Sequence, residues 1–272
     1  MKNRMCVVAL LMCGIPTMLM VKDTGKAQGL QHLAVNGSRP LSLVANQLEA
    51  RFGLLVAYED SPLKYEGDFV DRASPELKAK GQKALYPRGG QLEVDYAVAS
   101  SGQEPENPTD LILRLLKDHV NRGNPGIFCL RLLNGLYDII PTDALDQTGR
   151  MQKVRAILDL PITLPVKDRT LYETMDSVCK EVSTAGQVSV LLGTVPTNYF
   201  MQRHVALGCT SRAARQVLMD ILFLTRRSLV WRLNCDASGK YMLNFKIPMM
   251  EVTNVRGGKQ SREIPFTLIE SK

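Results

Sequence analysis

Apolar residues recur at helical spacing in four stretches of this chain, and a short apolar run follows each of them. The first stretch, Pro40–Phe52, carries Leu41, Val44, Ala45, Leu48 and Phe52 on one face, and Gly53 supplies its stop. Residues 54–58 then read as a short strand. Leu92, Val94, Tyr96 and Val98 alternate with polar or small residues, the pattern of a half-exposed strand over 91–99. Asn107-Pro108 opens the second helix with an N-cap residue and a proline at the first helical position. Ile112, Leu115, Leu116, His119 and Val120 mark its face. Apolar runs at 127–132 and 136–140 flank Asn134-Gly135, which predicts a tight hairpin. Thr170-Leu171-Tyr172-Glu173 is a capping box for the third helix, striped by Leu171, Met175, Val178 and Val182. Strands are expected at 188–192 and 204–207. The fourth helix is expected from Thr210 or Ser211, with Ala214, Val217, Leu218, Ile221 and Leu222 at clean spacing. A second hairpin, 228–233 with 241–245, turns around Ala237-Ser238-Gly239.

The order of elements is therefore repeated. One copy spans about 36–141 and the other about 161–245, each reading β-α-β and then β-α-β-β. Helices covering one face of a small sheet give an α+β fold of two tandem two-layer α/β domains. The expected bounds are 28–145, with an insertion at about 68–102, then 146–250, then a tail over 251–272. Residues 142–154 are polar and carry Gly149, so they form the expected linker. The run 157–166 is broken by Pro161 and Pro165, the mark of an edge strand. In the tail, 264–269 is a candidate strand. Duplication of this kind multiplies surfaces and does not by itself create chemistry.

The first 27 residues stand apart. Lys2 and Arg4 precede a mostly apolar run over 5–21, which Lys22, Asp23 and Lys26 end. This is the layout of a secretory signal peptide, with cleavage expected after Ala27 and a periplasmic destination. Lipid attachment at Cys13 is the second expectation and a retained anchor the third. No later segment is long and apolar enough to span a membrane. Removing residues 1–27 takes away four basic residues and one acidic residue, so the net charge falls from +7 to +4. Much of the basicity is thus targeting signal.

The segment Pro40-Leu41-Ser42-Leu43-Val44-Ala45-Asn46-Gln47-Leu48, followed by Phe52-Gly53-Leu54-Leu55-Val56-Ala57-Tyr58, resembles the short N-terminal domain of secretins and TonB-dependent receptors. So does Val205-Ala206-Leu207, then Ala214-Arg215-Gln216-Val217-Leu218-Met219-Asp220-Ile221-Leu222, ending in Trp231-Arg232-Leu233 and Tyr241-Met242-Leu243. The resemblance covers about two thirds of the mature chain and rests on pattern. It implies a periplasmic domain that contacts a signalling partner or neighbouring subunits and has no catalytic residues.

Catalytic motifs find little support. Ser61-Pro62-Leu63-Lys64 and Ser177-Val178-Cys179-Lys180 match S-x-x-K, but the companion K-T-G and S-D-N are absent. Asp23-Thr24-Gly25 falls in the signal region. Gly239-Lys240 lacks the spacing of a phosphate loop, and no G-x-S-x-G, H-E-x-x-H or C-x-x-C occurs. His32, His119 and His204 lie far apart, and His119 falls on an apolar helix face, as a satisfied core residue would. A zinc site from His204 and Cys209 would need two further ligands. Neither a metal nor a cofactor is expected.

Two features point outward. The mature part keeps Cys129, Cys179, Cys209 and Cys235, and an exported chain could bridge them. Cys209 and Cys235, which flank one helix–strand unit, are the candidate disulfide; buried free thiols are the alternative. Between Phe200 and Lys246, eight basic residues meet only Asp220 and Asp236. Arg212, Arg215, Arg226 and Arg227 are the candidate partner-binding set. A solvated face is the bland reading; a docking surface for an acidic partner or anionic lipid is the sharp one. Trp231, between Val230 and Arg232, is expected in the core. The leading expectation is a non-enzymatic envelope module with a protein partner, self-association included, and no nucleic-acid contact. The alternatives are a secreted hydrolase with a composite active site and a binder of cell-wall polymer or anionic lipid.

Overall fold

The computed structural model describes residues 30–99, 104–254 and 257–265. The first copy begins with β1 (Gln31–Gly37), α1 (Pro40–Phe52) and β2 (Val56–Glu59). A small excursion of β3 (Phe69–Asp71), α2 (Pro75–Ala79) and β4 (Leu85–Pro87) follows. Then come β5 (Gly90–Tyr96), α3 (Pro108–Asn121) and the hairpin β6 (Ile127–Leu133) and β7 (Leu136–Leu145). A three-residue strand, β8 (Met151–Lys153), stands between the copies. The second copy is β9 (Pro161–Thr170), α4 (Leu171–Gly186), β10 (Val190–Leu192), a short α5 (Thr197–Gln202), β11 (His204–Ala213), α6 (Ala214–Thr225), β12 (Val230–Cys235) and β13 (Tyr241–Lys246). A hairpin of β14 (Met249–Thr253) and β15 (Lys259–Glu263) closes the described chain. Among the described residues no helix is long and apolar enough to cross a membrane.

The local signals act as their chemistry requires. Gly53 ends α1 in the left-handed region at φ 65°, and its N–H closes onto the Glu49 carbonyl. The Asn107 side chain accepts from the Asp110 N–H at 3.0 Å and caps α3. Both halves of the capping box at Thr170 and Glu173 are formed. Asn134 and Gly135 turn between β6 and β7 with φ of 49° and 91°, which matches the twist of the flanking strands.

Buried positions repeat between the copies. Leu41, Val44, Ala45, Leu48, Glu49 and Phe52 of α1 match Leu171, Thr174, Met175, Val178, Cys179 and Val182 of α4. Leu111, Ile112, Leu115, Leu116 and His119 of α3 match Val217, Leu218, Ile221, Leu222 and Thr225 of α6. In each copy the helices pack on a two-stranded antiparallel ribbon, β1 with β5 or β9 with β11. They also pack on strands of a larger sheet, so the α+β class holds and the ribbon adds a further layer.

That larger sheet is shared. Its order is β10-β13-β12-β2-β7-β6, with β8 on β7, so one seven-stranded sheet runs through both copies. The joint is the parallel pair β12 with β2, Arg232 opposite Tyr58 and Leu233 opposite Glu59. Strand directions reverse between copies, because β7 runs with β2 and β13 runs against β12. The two helix pairs consequently lie on opposite faces. Val56 and Tyr58 face the first core, while Leu55 and Ala57 belong to the second. A strand buried on both faces reads as an unbroken apolar run, which is how 54–58 appears in sequence. Trp231 is fully buried in the second core, as its strand position predicts. Truncating it to alanine would remove on the order of 3–5 kcal/mol.

Four boundaries differ from the sequence expectation. Residues 142–154 hold no free linker, because β7 continues to Leu145 and β8 returns on it antiparallel. The segment 68–102 contains β5, whose Leu92 and Tyr96 are core residues, so only its earlier part is an excursion. Helix α6 starts at Ala214 and not at Thr210 or Ser211: β11 runs on to Ala213 along β9, with register shifts after Leu207 and Cys209. In the tail, β14 and β15 precede the candidate strand at 264–269, most of which lies outside the described residues.

Candidate functional site

The four candidate arginines do not form one surface. Arg212 pairs with Asp220. Arg226 takes the left-handed position that ends α6. Arg227 makes a two-pronged pair with Glu263, 3.0 Å on each arm, and lies 4.8 Å from the Tyr199 ring centre. Arg215 is 3 % exposed and cannot dock a partner. It projects from the first turn of α6 across the joint into the underside of the first copy. There it is ion-paired with Glu59 on β2 and Asp138 on β7, and at 2.7 Å with Asp159. Arg131 of β6 closes the cluster onto Asp159 at 2.7 Å.

Three carboxylates and two guanidiniums leave this cluster one negative charge in excess. Burial pushes the Glu59 carboxyl up to about 7, with Arg215 opposing the rise and Asp138 adding to it. Asp138 is raised by burial as well. Burial also acts on Asp159, but the Arg215 hydrogen bond and charge, with Arg131, outweigh it and hold that carboxyl low. Burial opposes the Arg215 charge too, and Asp138 and Glu59 more than restore it. Both Glu59 oxygens are engaged: Oε1 accepts from the Ile157 and Leu158 N–H groups, and Oε2 from Arg215. Asp138 Oδ1 is buried without a hydrogen-bond partner. Glu59 and Asp138 share Arg215 and titrate as a coupled pair, with burial raising both.

Two further polar clusters seal the same joint. Arg232 of β12 points to the opposite face, where it pairs with Glu49 of α1 and donates to the Val56 carbonyl. Lys246 reaches the other Glu49 oxygen at 2.5 Å. At the strand ends, Asp60 accepts from Tyr58 Oη and Arg39 Nε, each at 2.6 Å, and from the Cys235 N–H at 2.7 Å. Burial and then Asp60 keep the Tyr58 phenol protonated, so it remains a donor. Sequence reasoning named Arg215 and Arg232 as basic residues but missed their acidic partners. The available signal was a charge inside an apolar run: Glu59 after residues 54–58, Asp138 between Tyr137 and Ile139, Arg232 between Trp231 and Leu233. A charge at such a position is buried and demands a partner.

Beside Asp60 lies a small cleft lined also by Arg39, Ser61, Arg88 and His119. His119 is buried, as its helix face predicts, and donates through Nε2 to the Pro125 carbonyl at 3.0 Å, while its buried Nδ1 has no hydrogen-bond partner. Burial lowers its pKa and keeps it neutral. Ser61 and His119 together suggest acyl-transfer chemistry only superficially. Asp60 is committed to Tyr58, Arg39 and Cys235 and does not orient the imidazole, as a triad would require. The cleft measures about 20 Å³, close to the room one water molecule needs.

Cys209 and Cys235 are not bridged; both are free thiols, as are Cys129 and Cys179. Cys209 lies on the ribbon strand β11 and Cys235 on β12 of the large sheet, so the two belong to different sheets. His204 and Asp168 lie on that ribbon, with His204 Nδ1 3.6 Å from the carboxylate. Among the described residues no group of His, Cys, Asp or Glu is arranged to hold a metal ion. Comparison with known proteins finds no matching family model, no matching curated protein and no matching solved structure.

Proposed function

We propose that this chain is a non-enzymatic module of the cell envelope that works by protein–protein contact, in the manner implied by its resemblance to secretin and TonB-receptor N-terminal domains. The observation that carries the reading is the joint itself. Two repeated units are welded edge to edge by parallel strands, with a buried ion-pair cluster on each face. Of the four arginines that sequence analysis offered for partner binding, Arg215 is used up in that weld, as is Arg232 from the same basic run. A sheet built by adding units at its edge has further edges to offer, and strand addition is an established mode of recognition. The signal-peptide-like pattern of the first 27 residues supports an envelope location.

The test is crosslinking in intact cells of the native organism, followed by affinity isolation and mass spectrometry. A reproducible envelope protein, or the chain itself, at near-equal amounts supports the contact reading. Recovery of the chain alone and uncrosslinked over a range of linker lengths overturns it.

A further inference from the structure

Among the described residues the shared sheet ends on two different strands, β10 at one side and β6 at the other. Their places in the repeat make them complementary. In the first copy β6 holds the position that β12 holds in the second, and β10 is the counterpart of β2. Inside the chain those counterparts, β12 and β2, are the pair that forms the joint. Direction agrees as well. Following the pairings along the sheet, β6 and β10 both run opposite to β2, so β6 of one chain and β10 of a second chain in the same orientation would meet in parallel. The internal joint has that sense too.

Side-chain exposure points the same way. At the internal joint the first copy turns Ala57 and Asp138 toward α6, and both are fully buried. On α6, Met219 is 6 % exposed and shares a groove with Leu133 of the first copy. The counterparts of Ala57 and Asp138 on the second copy are Leu191 and Met242, and these are 50 % and 36 % exposed. The counterpart of Met219 on α3 is Leu113, also 50 % exposed. Three apolar side chains thus stand in solvent where the internal joint buries their equivalents. An apolar surface at these matched positions calls for a cover of the same shape.

We propose that a second copy of this chain supplies that cover. The β6 edge of one chain seats beside the β10 edge of the next, and α3 of the first lies over Leu191 and Met242 of the second. The contact is heterologous, so it propagates head to tail and does not close on a dimer. The backbone ladder at the new joint is short, because Ser183 Oγ and Asn244 Oδ1 already accept from the Val190 and Thr194 N–H groups. The internal joint is equally short, with two residue pairs, and relies on side chains above and below. This inference rests on the contact reading and names the partner.

Counterpart positions supply the test. Arg232 faces Tyr58 at the internal joint; their equivalents are Cys129 and Leu192. The full-length chain carrying Leu192→Cys is expressed in cells and treated with a short thiol–thiol linker. The expected result is a ladder of dimers, trimers and higher species, with a linked peptide joining Cys129 to position 192 and loss of the ladder on Cys129→Ser. In the Leu192→Cys background, Leu113→Lys blocks one end and Leu191→Lys the other. Both sites are half in solvent, so the fold tolerates the charge. Each variant alone loses the ladder; the two together, differently tagged, form mixed dimers and nothing longer. Absence of chain-to-chain links with Leu192→Cys, or a ladder that survives Leu113→Lys and Leu191→Lys in one chain, overturns the proposal. Links to another envelope protein in that case leave the contact reading standing and remove only this one.

Discussion

Arg215 on α6 is ion-paired with Glu59 on β2, and this buried contact spans the two copies. Removing the arginine strands Glu59 and Asp138 without compensation. Arg215→Ala should destabilise the fold by about 3–5 kcal/mol. Arg212→Ala, three residues earlier, removes a pair with Asp220 that is open to solvent on both sides. That change should register under about 1 kcal/mol. Urea unfolding of the two variants measures the contrast, and similar losses would contradict the joint described above.

The same cluster makes stability depend on pH. The Glu59 carboxyl is raised by burial from an ordinary 4.5 to about 7, with Asp138 beside it raised also. The folded state therefore holds a proton that the unfolded chain releases as pH passes the ordinary value. Stability contributed by that proton is full below about pH 4.5, declines between there and about 7, and is flat beyond. The Glu59 shift alone corresponds to a decline on the order of 3 kcal/mol. Asp138→Asn removes one of the competing carboxylates and should flatten the slope, which chemical unfolding at several pH values between 5 and 8 will reveal.

The elements that sequence pattern located well are those with local causes. Pro40 and Gly53 bound α1, Asn107 caps α3, and Asn134-Gly135 sets the β6–β7 turn, all within a few residues of one another in sequence. What pattern did not reveal is the union of the copies. The β12–β2 joint pairs residues about 175 positions apart, and no local propensity encodes it. Only the unbroken apolar run at 54–58 and the lone charges Glu59, Asp138 and Arg232 carry a trace of it. The boundary at α6 was misplaced for a related reason. Residues 210–213 have the small polar character of a helix start, but pairing of β11 with β9 holds them extended.

That ribbon contains a close approach that a single substitution probes. A Cβ on Gly208 would lie 2.5 Å from the Val166 backbone nitrogen, beside the register shift between Leu207 and Cys209. Gly208→Ala should therefore push β11 from β9 and lower stability by about 1–3 kcal/mol, the range for overpacking. Gly81→Ala serves as a contrast in kind. That residue has φ 67° with open space around it, so its loss comes from backbone strain alone. Hydrogen exchange separates the two, with faster exchange along β9 and β11 expected only for Gly208→Ala.

The free thiols give a chemical test of how the second copy is assembled. Cys179 is buried against the α4 core, and burial pushes its thiol up to about 12, so almost no thiolate exists near neutral pH. Cys235 is buried and raised too. Cys209 is partly exposed and donates weakly to the Ile162 carbonyl at 3.6 Å. Alkylation of the native protein should therefore modify Cys209 well before Cys179 and Cys235, whose modification waits for opening of the core. After unfolding without reductant, Cys129, Cys179, Cys209 and Cys235 should all react. Intact mass should not change on reduction before alkylation. A mass gain, or persistent silence of Cys209 and Cys235 in the unfolded chain, would mean that these two are bridged, which requires β11 to leave its ribbon and approach the end of β12.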